Sequence, residues 1–221
     1  MTNLFTSEVT EIVVRTFIIS FTATCAALIF ATPIGFLLIG TKNKITKILI
    51  ITFNSFMSIP AVLIGLVCYL VFSGKGFLGF FRLLYTPYIM IIAQAILAFP
   101  IIISMIVAAM KSVADLVGDT LLSLGANRFQ QKLSILYEGR RQFIAAATIG
   151  FSRVIGETGM TMMVGGNIKG ETRVMTTTIA LETMKGNFEI AIILGFVLFA
   201  VAVIINIILN CLLEKKNAYK M

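Results

Sequence analysis

Five long apolar runs alternate with shorter polar segments along the chain. The fourth run contains two charged residues, Arg153 and Glu157, and the other four runs contain none. A helix rises about 1.5 Å per residue, so each uncharged run can cross a hydrocarbon layer about 30 Å thick. The pattern predicts an all-α integral membrane protein with five transmembrane helices, at Thr16–Thr41, Ile48–Gly74, Leu83–Met110, Phe143–Val164 and Ile190–Leu213.

Composition and charge agree with a membrane protein. Of the 221 residues, 58% are hydrophobic and only 13% are charged, too few charges to keep the surface of a soluble domain wet. The net charge of +8 does not indicate nucleic-acid binding, because the basic residues lie at the ends of apolar runs. Segments 42–47, 111–142 and 214–221 hold eleven Lys and Arg, against six in the segments on the other side. This bias predicts an outside N-terminus and a short cytoplasmic tail at 214–221.

Several kinds of chemistry have no sequence support. The chain has no His, and its cysteines stand singly within apolar runs, which favours isolated buried thiols over a metal site or a disulfide framework. It also lacks the G-x-x-x-x-G-K-[ST] pattern of a phosphate-binding loop. We therefore expect no metal, no cofactor and no catalytic residue on this chain, and any energy from ATP must come through a partner.

The polar segment Lys111–Gln142 is too polar to lie in lipid. Its apolar positions recur at helical spacing and are interrupted at Gly125, which predicts two short helices joined by a glycine turn. Such a pair, lying flat at the membrane face, suits docking into a groove of a partner protein. An amphipathic connector without a partner would show the same pattern.

Arg153 and Glu157 are the ionisable residues within the fourth run. Four residues apart, they share a helix face and can pair. Ionisable residues inside a span are costly and point to function. The pair fits a gate whose partners change between states, and it also fits a structural ion pair that locks this helix to its neighbours.

The segment Gly165–Thr178 is rich in Gly and Thr and includes Asn167, Thr176 and Thr177. Hydroxyl and amide groups donate hydrogen bonds to a small polar solute in transit without holding it as tightly as fixed cations would hold an anion. These three residues are therefore candidates for a translocation path. An outer gate or the seat of a binding protein is an equal alternative.

Two motifs carry a family resemblance. D-T-L-x-x-x-G, from Asp119 to Gly125, resembles the E-A-A-x-x-x-G signature of ABC importer permeases, with Asp for Glu, Thr-Leu for Ala-Ala and no I-x-L-P ending. The segment Gly150–Ala180 closely resembles the corresponding segment of molybdate and tungstate permeases; it reads GFSRVIGETGMTMMVGGNIKGETRVMTTTIA. Its sequence is most similar to the tungstate branch.

The resemblance covers residues 12–213 and implies a type I ABC importer permease domain for tungstate, in a bacterial or archaeal cell membrane. It implies cytoplasmic coupling helices between the third and fourth spans, with Asp119, Gly125, Ala126 and Arg128 seated in the ATPase. The implied partners are a second copy of the chain, an ATP-binding subunit that holds ATP-Mg, an extracytoplasmic substrate-binding protein and membrane lipid.

Molybdate or another oxyanion is the alternative substrate. A stand-alone secondary transporter or channel is the alternative of a different class, although we see no inverted repeat to favour it.

Overall fold

The computed structural model describes residues 2–38 and 43–214. All regular structure in this part of the chain is helical, which confirms the all-α part of the predicted fold class. The helices are α1 (Thr2–Leu38), α2 (Lys44–Phe56), α3 (Ala61–Phe72), α4 (Pro87–Ser123), α5 (Arg128–Glu138), α6 (Arg140–Ile155), α7 (Gly159–Gly165), α8 (Met175–Met184) and α9 (Phe188–Glu214), with one 3₁₀ turn at Gly79–Phe81.

Helix α4 forms the centre of the molecule and packs against α1, α2, α3, α6 and α7. Many of its buried side chains are large and apolar, among them Ile89, Met90, Leu97, Ile102, Ile103 and Ile106. α1 presents a stripe of small residues to the core, in which Ala23, Ala27 and Ala31 are buried and Gly35 continues the four-residue spacing. A Cβ on Gly35 would lie 2.8 Å from Cγ2 of Ile106, so the stripe brings α1 close to α4.

Three helices are long and apolar enough to cross a membrane, at Glu8–Leu38, Pro87–Ser123 and Phe188–Ile208. α2 and α3 pass the same test as a pair, and they meet at a bend of 96°. Pro60 stands at this bend as the residue before α3, and because proline has no N–H it donates no hydrogen bond to a carbonyl of the preceding helix. The described residues therefore contain three spans, or four if the bent pair is counted as one.

The fourth apolar run is not a single helix. α6 ends at Ile155 and α7 begins at Gly159, so Gly156, Glu157 and Thr158 form a break between a 16-residue and a 7-residue helix. Neither half is long enough to span alone, and the five-span layout stays a prediction. Of the predicted tail at 214–221, residues 215–221 lie outside the described part of the chain, and so does Lys42.

Helix α9 packs chiefly on α6 and α8 and exposes most of its surface. Its outward side chains are apolar, and Phe196, Phe199 and Ile204 are among them. Cys211 is exposed on this helix, so the expectation of buried thiols is wrong for it, while Cys68 is buried as expected. A helix with few neighbours cannot bury its own side chains, whatever their type.

Candidate functional site

The turn between α4 and α5 interrupts the polar segment Lys111–Gln142. α4 continues to Ser123, so one separate short helix, α5, lies here instead of the two predicted. Gly125 has φ of 73°, the left-handed conformation that glycine adopts without a Cβ penalty. Asn127 and Gln130 then form a capping box, with backbone-to-side-chain hydrogen bonds of 2.8 and 2.9 Å, which begins α5.

The four predicted coupling residues come together around this turn. Asp119 is exposed near the end of α4, and Arg128 is the exposed first residue of α5. Gly125 is exposed between them. The carbonyl of Ala126 accepts a 2.7 Å hydrogen bond from the side chain of Gln131, which fastens the turn to α5. The geometry presents two charges of opposite sign on either side of a tight turn.

Exposed apolar side chains surround the same turn, and we call them the apolar turn surface: Leu116, Leu122, Leu124, Phe129, Leu133 and Tyr137. A cavity of about 870 Å³ opens between the end of α4 and α5, and its wall is mostly apolar. Leu122, Leu124 and Phe129 lie within four residues of Gly125, so the exposed apolar side chains are densest at the turn itself. Single exposed apolar residues are ordinary, whereas several close together are typical of a contact surface.

Helix α5 is attached to the end of α1 through Lys132. The ammonium group donates to the carbonyls of Leu37 at 3.1 Å and Phe36 at 3.5 Å, where the helix leaves carbonyls without internal partners. It also lies 5.7 Å from the centre of the Phe36 ring, and the rings of Phe36 and Phe129 meet edge to face at 6.3 Å. A movement of α5 is thereby linked directly to α1.

Arg153 and Glu157 form the predicted ion pair, with Nη1 3.0 Å from Oε2. The two residues do not share one helix, because Glu157 lies in the break just past the end of α6. The other carboxylate oxygen of Glu157 accepts from the backbone N–H of Met160 at 3.4 Å. Its carbonyl accepts from the hydroxyls of Thr161 at 2.8 Å and Thr176 at 3.0 Å. Glu157 is therefore held from several directions.

The loop between α7 and α8 (residues 166–174) is fastened to the first half of α1. Arg15 donates to the carbonyls of Gly170 at 2.7 Å and Arg173 at 3.1 Å. Glu8 pairs with Lys169 at 2.7 Å and Arg173 at 3.5 Å. The hydroxyl of Thr16 accepts from the backbone N–H of Met175 at 2.9 Å. These contacts join residues more than 150 positions apart.

Thr176 and Thr177, two of the predicted path residues, have their hydroxyls committed to the backbone. Thr177 is fully buried, where it donates to the carbonyl of Val174 at 3.0 Å and accepts from its N–H at 3.1 Å, which begins α8. Thr176 donates to the carbonyl of Glu157 and so ties α8 to the break. Asn167 has φ of 52°, and its buried Oδ1 has no partner among the described residues. The three residues are not assembled into one donor set.

Glu182 fixes the turn that follows α8. Hydrogen bonds from Lys185 and Asn187, both 2.8 Å long, hold the pKa of the Glu182 carboxyl below its usual range. The carboxylate is therefore ionised at neutral pH. No group of three metal-ligating side chains occurs among residues 2–38 and 43–214.

Sequence reasoning missed the contacts of Arg15 and Thr16 with the 166–174 loop, and the 3.0 Å contact between Ser152 and Asn206. The available signal was a polar residue within or beside an apolar run. That signal marks a residue that needs a partner, but it does not say which distant residue supplies one.

The chain resembles known transport proteins along most of its length. It is 37% identical over 212 residues, 96% of this chain and 92% of the relative, to the tungstate uptake system permease protein TupB of Peptoclostridium acidaminophilum. It is 34% identical to the TupB of Campylobacter jejuni, over 75% of this chain and 69% of that one. No protein-family model matches the chain.

A solved structure shares the fold. The inward-facing MetNI methionine ABC transporter contains a chain that matches with a TM-score of 0.79 at 18% sequence identity. The match covers 97% of this chain and 99% of that one.

Proposed function

The chain belongs to the family of tungstate uptake permeases, and we propose that it is the subunit through which tungstate crosses the membrane. A member of this family is a transport subunit of an ABC system and not itself an enzyme. The near-full-length match to a tungstate permease is the observation that carries the proposal. We propose that ATP-Mg is bound and hydrolysed on a partner subunit.

We propose a five-span permease domain over residues 12–213. In this arrangement the bent pair α2–α3 forms the second span, and α6 and α7 form the fourth span on either side of their break. The N-terminus would lie outside and the tail 214–221 in the cytoplasm of a bacterial or archaeal cell. The excess of Lys and Arg on one set of segments supports this orientation.

The end of α4 and the whole of α5 would then act as the coupling element. We propose that the apolar turn surface docks in a groove of the ATP-binding subunit, with Asp119, Gly125, Ala126 and Arg128 at the contact. The exposure of six large apolar side chains at a polar turn supports a protein partner. The link from Lys132 to the end of α1 would carry the movement into the spans.

Two copies of the chain would enclose one path, because five helices alone are too few to surround it. An extracytoplasmic binding protein would deliver the oxyanion. We propose that the Arg153–Glu157 pair gates this path. We also propose that Asn167 and Thr176 lie along it, with Thr177 in a supporting position. Membrane lipid would cover the exposed apolar face of α9.

The proposal is tested by the tungsten and molybdenum content of cells with and without the gene, grown in trace amounts of both oxyanions. We expect tungsten alone to fall in the deletion strain and to return with the gene. A fall in molybdenum, alone or together with tungsten, would move the substrate to the alternative oxyanion. No change in either element would overturn the proposal.

A further inference from the structure

The outward face near the end of α6 consists of Ile149, Ser152 and Arg153, and the exposed Gly156 follows directly after the helix. The side chain of Arg153 is 42% exposed. It lies 13 residues after Arg140 at the start of α6, about 20 Å along the helix. In the proposed topology this is inside a hydrocarbon layer about 30 Å thick, where an exposed cation must face water or protein and not lipid.

The break after α6 gives independent evidence about the same face. Gly156 has open space around it, since an added Cβ would meet nothing within 4 Å. Backbone outside a helix is tolerated at membrane depth only where protein buries it or where it lines a water-filled cavity. An open break and an exposed arginine at one place indicate that this face meets water or protein and not lipid, and in the proposed dimer it would face the path between the two copies.

The two members of the ion pair differ in freedom. The carboxylate side chain of Glu157 is 12% exposed, and Met160, Thr161 and Thr176 also hold this residue. Arg153 uses one N–H for Glu157, and no second hydrogen bond of its guanidinium occurs among the described residues. A guanidinium has five donors, so several remain directed to the open side.

We propose that Arg153 is a transit site for the tetrahedral oxyanion, an inference that rests on the proposed function. Two N–H groups of a guanidinium fit two oxygens of such an anion. Glu157 holds the arginine in place and cancels most of its charge. The anion is therefore bound weakly enough to leave again, as conduction requires.

The test uses cells that lack the chromosomal gene and express variants of the full chain, with tungsten uptake and membrane abundance both measured. Arg153→Gln should lower uptake at least about tenfold, as expected for a lost charge-assisted contact, and Arg153→Lys should be intermediate. Arg82→Gln is the matched control, because Arg82 is exposed in the link before α4 and has no role in the proposal. It should leave uptake unchanged.

Two further variants separate a transit site from a structural ion pair. Glu157→Gln leaves the cation uncompensated, so the transporter purified with its ATPase should retain more tungsten than wild type and should turn over more slowly. The exchange Arg153→Glu with Glu157→Arg rebuilds a pair but moves the cation to the less exposed position. It should not restore uptake.

The uptake and retention of these variants decide whether Arg153 is a transit site. Recovery of uptake by the exchanged pair, or uptake by Arg153→Gln equal to the control, would overturn the transit site. If Arg153→Gln fails to accumulate in the membrane, tungsten retention by Glu157→Gln decides, and retention no higher than wild type would overturn the proposal. Absence of tungsten uptake by the wild-type chain would instead reject the proposed function.

Discussion

The 166–174 loop and the turn between α4 and α5 differ in what they present at the surface. In the 166–174 loop and the start of α8, the threonine hydroxyls are bonded to backbone, and Arg15, Thr16 and Glu8 of α1 hold the loop down. At the turn between α4 and α5, six large apolar side chains are exposed. Both segments look alike in the sequence, as polar stretches between apolar runs.

The 166–174 loop is largely satisfied by its own chain, although the buried Oδ1 of Asn167 and Nε of Arg173 have no partner among the described residues. A loop that finds most of its polar partners within its own chain depends little on another protein for stability. An exposed apolar cluster on a polar turn gains free energy when a partner covers it. We therefore expect substitutions in the 166–174 loop to change stability and substitutions at the apolar turn surface to change assembly.

The largest effect should come from Gly125→Asp. The substitution places a negative charge at the proposed contact with the ATPase, and we expect tungsten uptake to fall more than about tenfold while the protein still inserts. The decisive measurement is ATPase activity of the complete transporter with and without binding protein, which should lose its stimulation.

Gly125→Asn provides the matched control for that variant. Asn has nearly the same shape as Asp and also tolerates the left-handed conformation, but it carries no charge. It should retain most of the uptake. Normal stimulation in Gly125→Asp would contradict the docking assignment.

An intermediate effect is expected for Thr16→Val, which tests how firmly α1 holds the start of α8. The change leaves the buried N–H of Met175 without an acceptor and should lower the free energy of unfolding by about 1–3 kcal/mol. Thermal unfolding of the purified protein measures it. Thr183→Val, which removes only an exposed bond to the carbonyl of Ile179, should shift unfolding far less, and equal shifts would refute a clamp by α1.

The smallest effect on stability is expected for Leu124→Ser. Leu124 is 76% exposed, so the substitution should change the free energy of unfolding by less than about 0.5 kcal/mol. The amount of ATPase subunit that copurifies should nevertheless fall. Met184→Ser is the control, because Met184 is 77% exposed but is the last residue of α8, away from the turn. Equal loss of the ATPase in both variants would show that the apolar turn surface has no special part in assembly.

Much of the site was predictable because its signals are local. The helix–turn–helix around Gly125 follows from helical spacing interrupted by glycine, and the pairing of Arg153 with Glu157 follows from their separation of four residues. The continuation of α4 through Lys111 to Ser123 was not predictable in the same way. A change from apolar to polar residues indicates where a helix leaves lipid, but it does not end the helix.

The helical class, the membrane location and the family resemblance could all be read from the sequence, because they depend on composition, run length and short motifs. The packing of the helices shows three things that the sequence could not: α1 holds the 166–174 loop, Lys132 ties α5 to the end of α1, and Arg153 is exposed beside a break while Glu157 is only slightly exposed. Such contacts join residues far apart in the chain. Which partner a polar residue finds, and which side of an ion pair faces outward, is set by how the helices pack and by no local pattern.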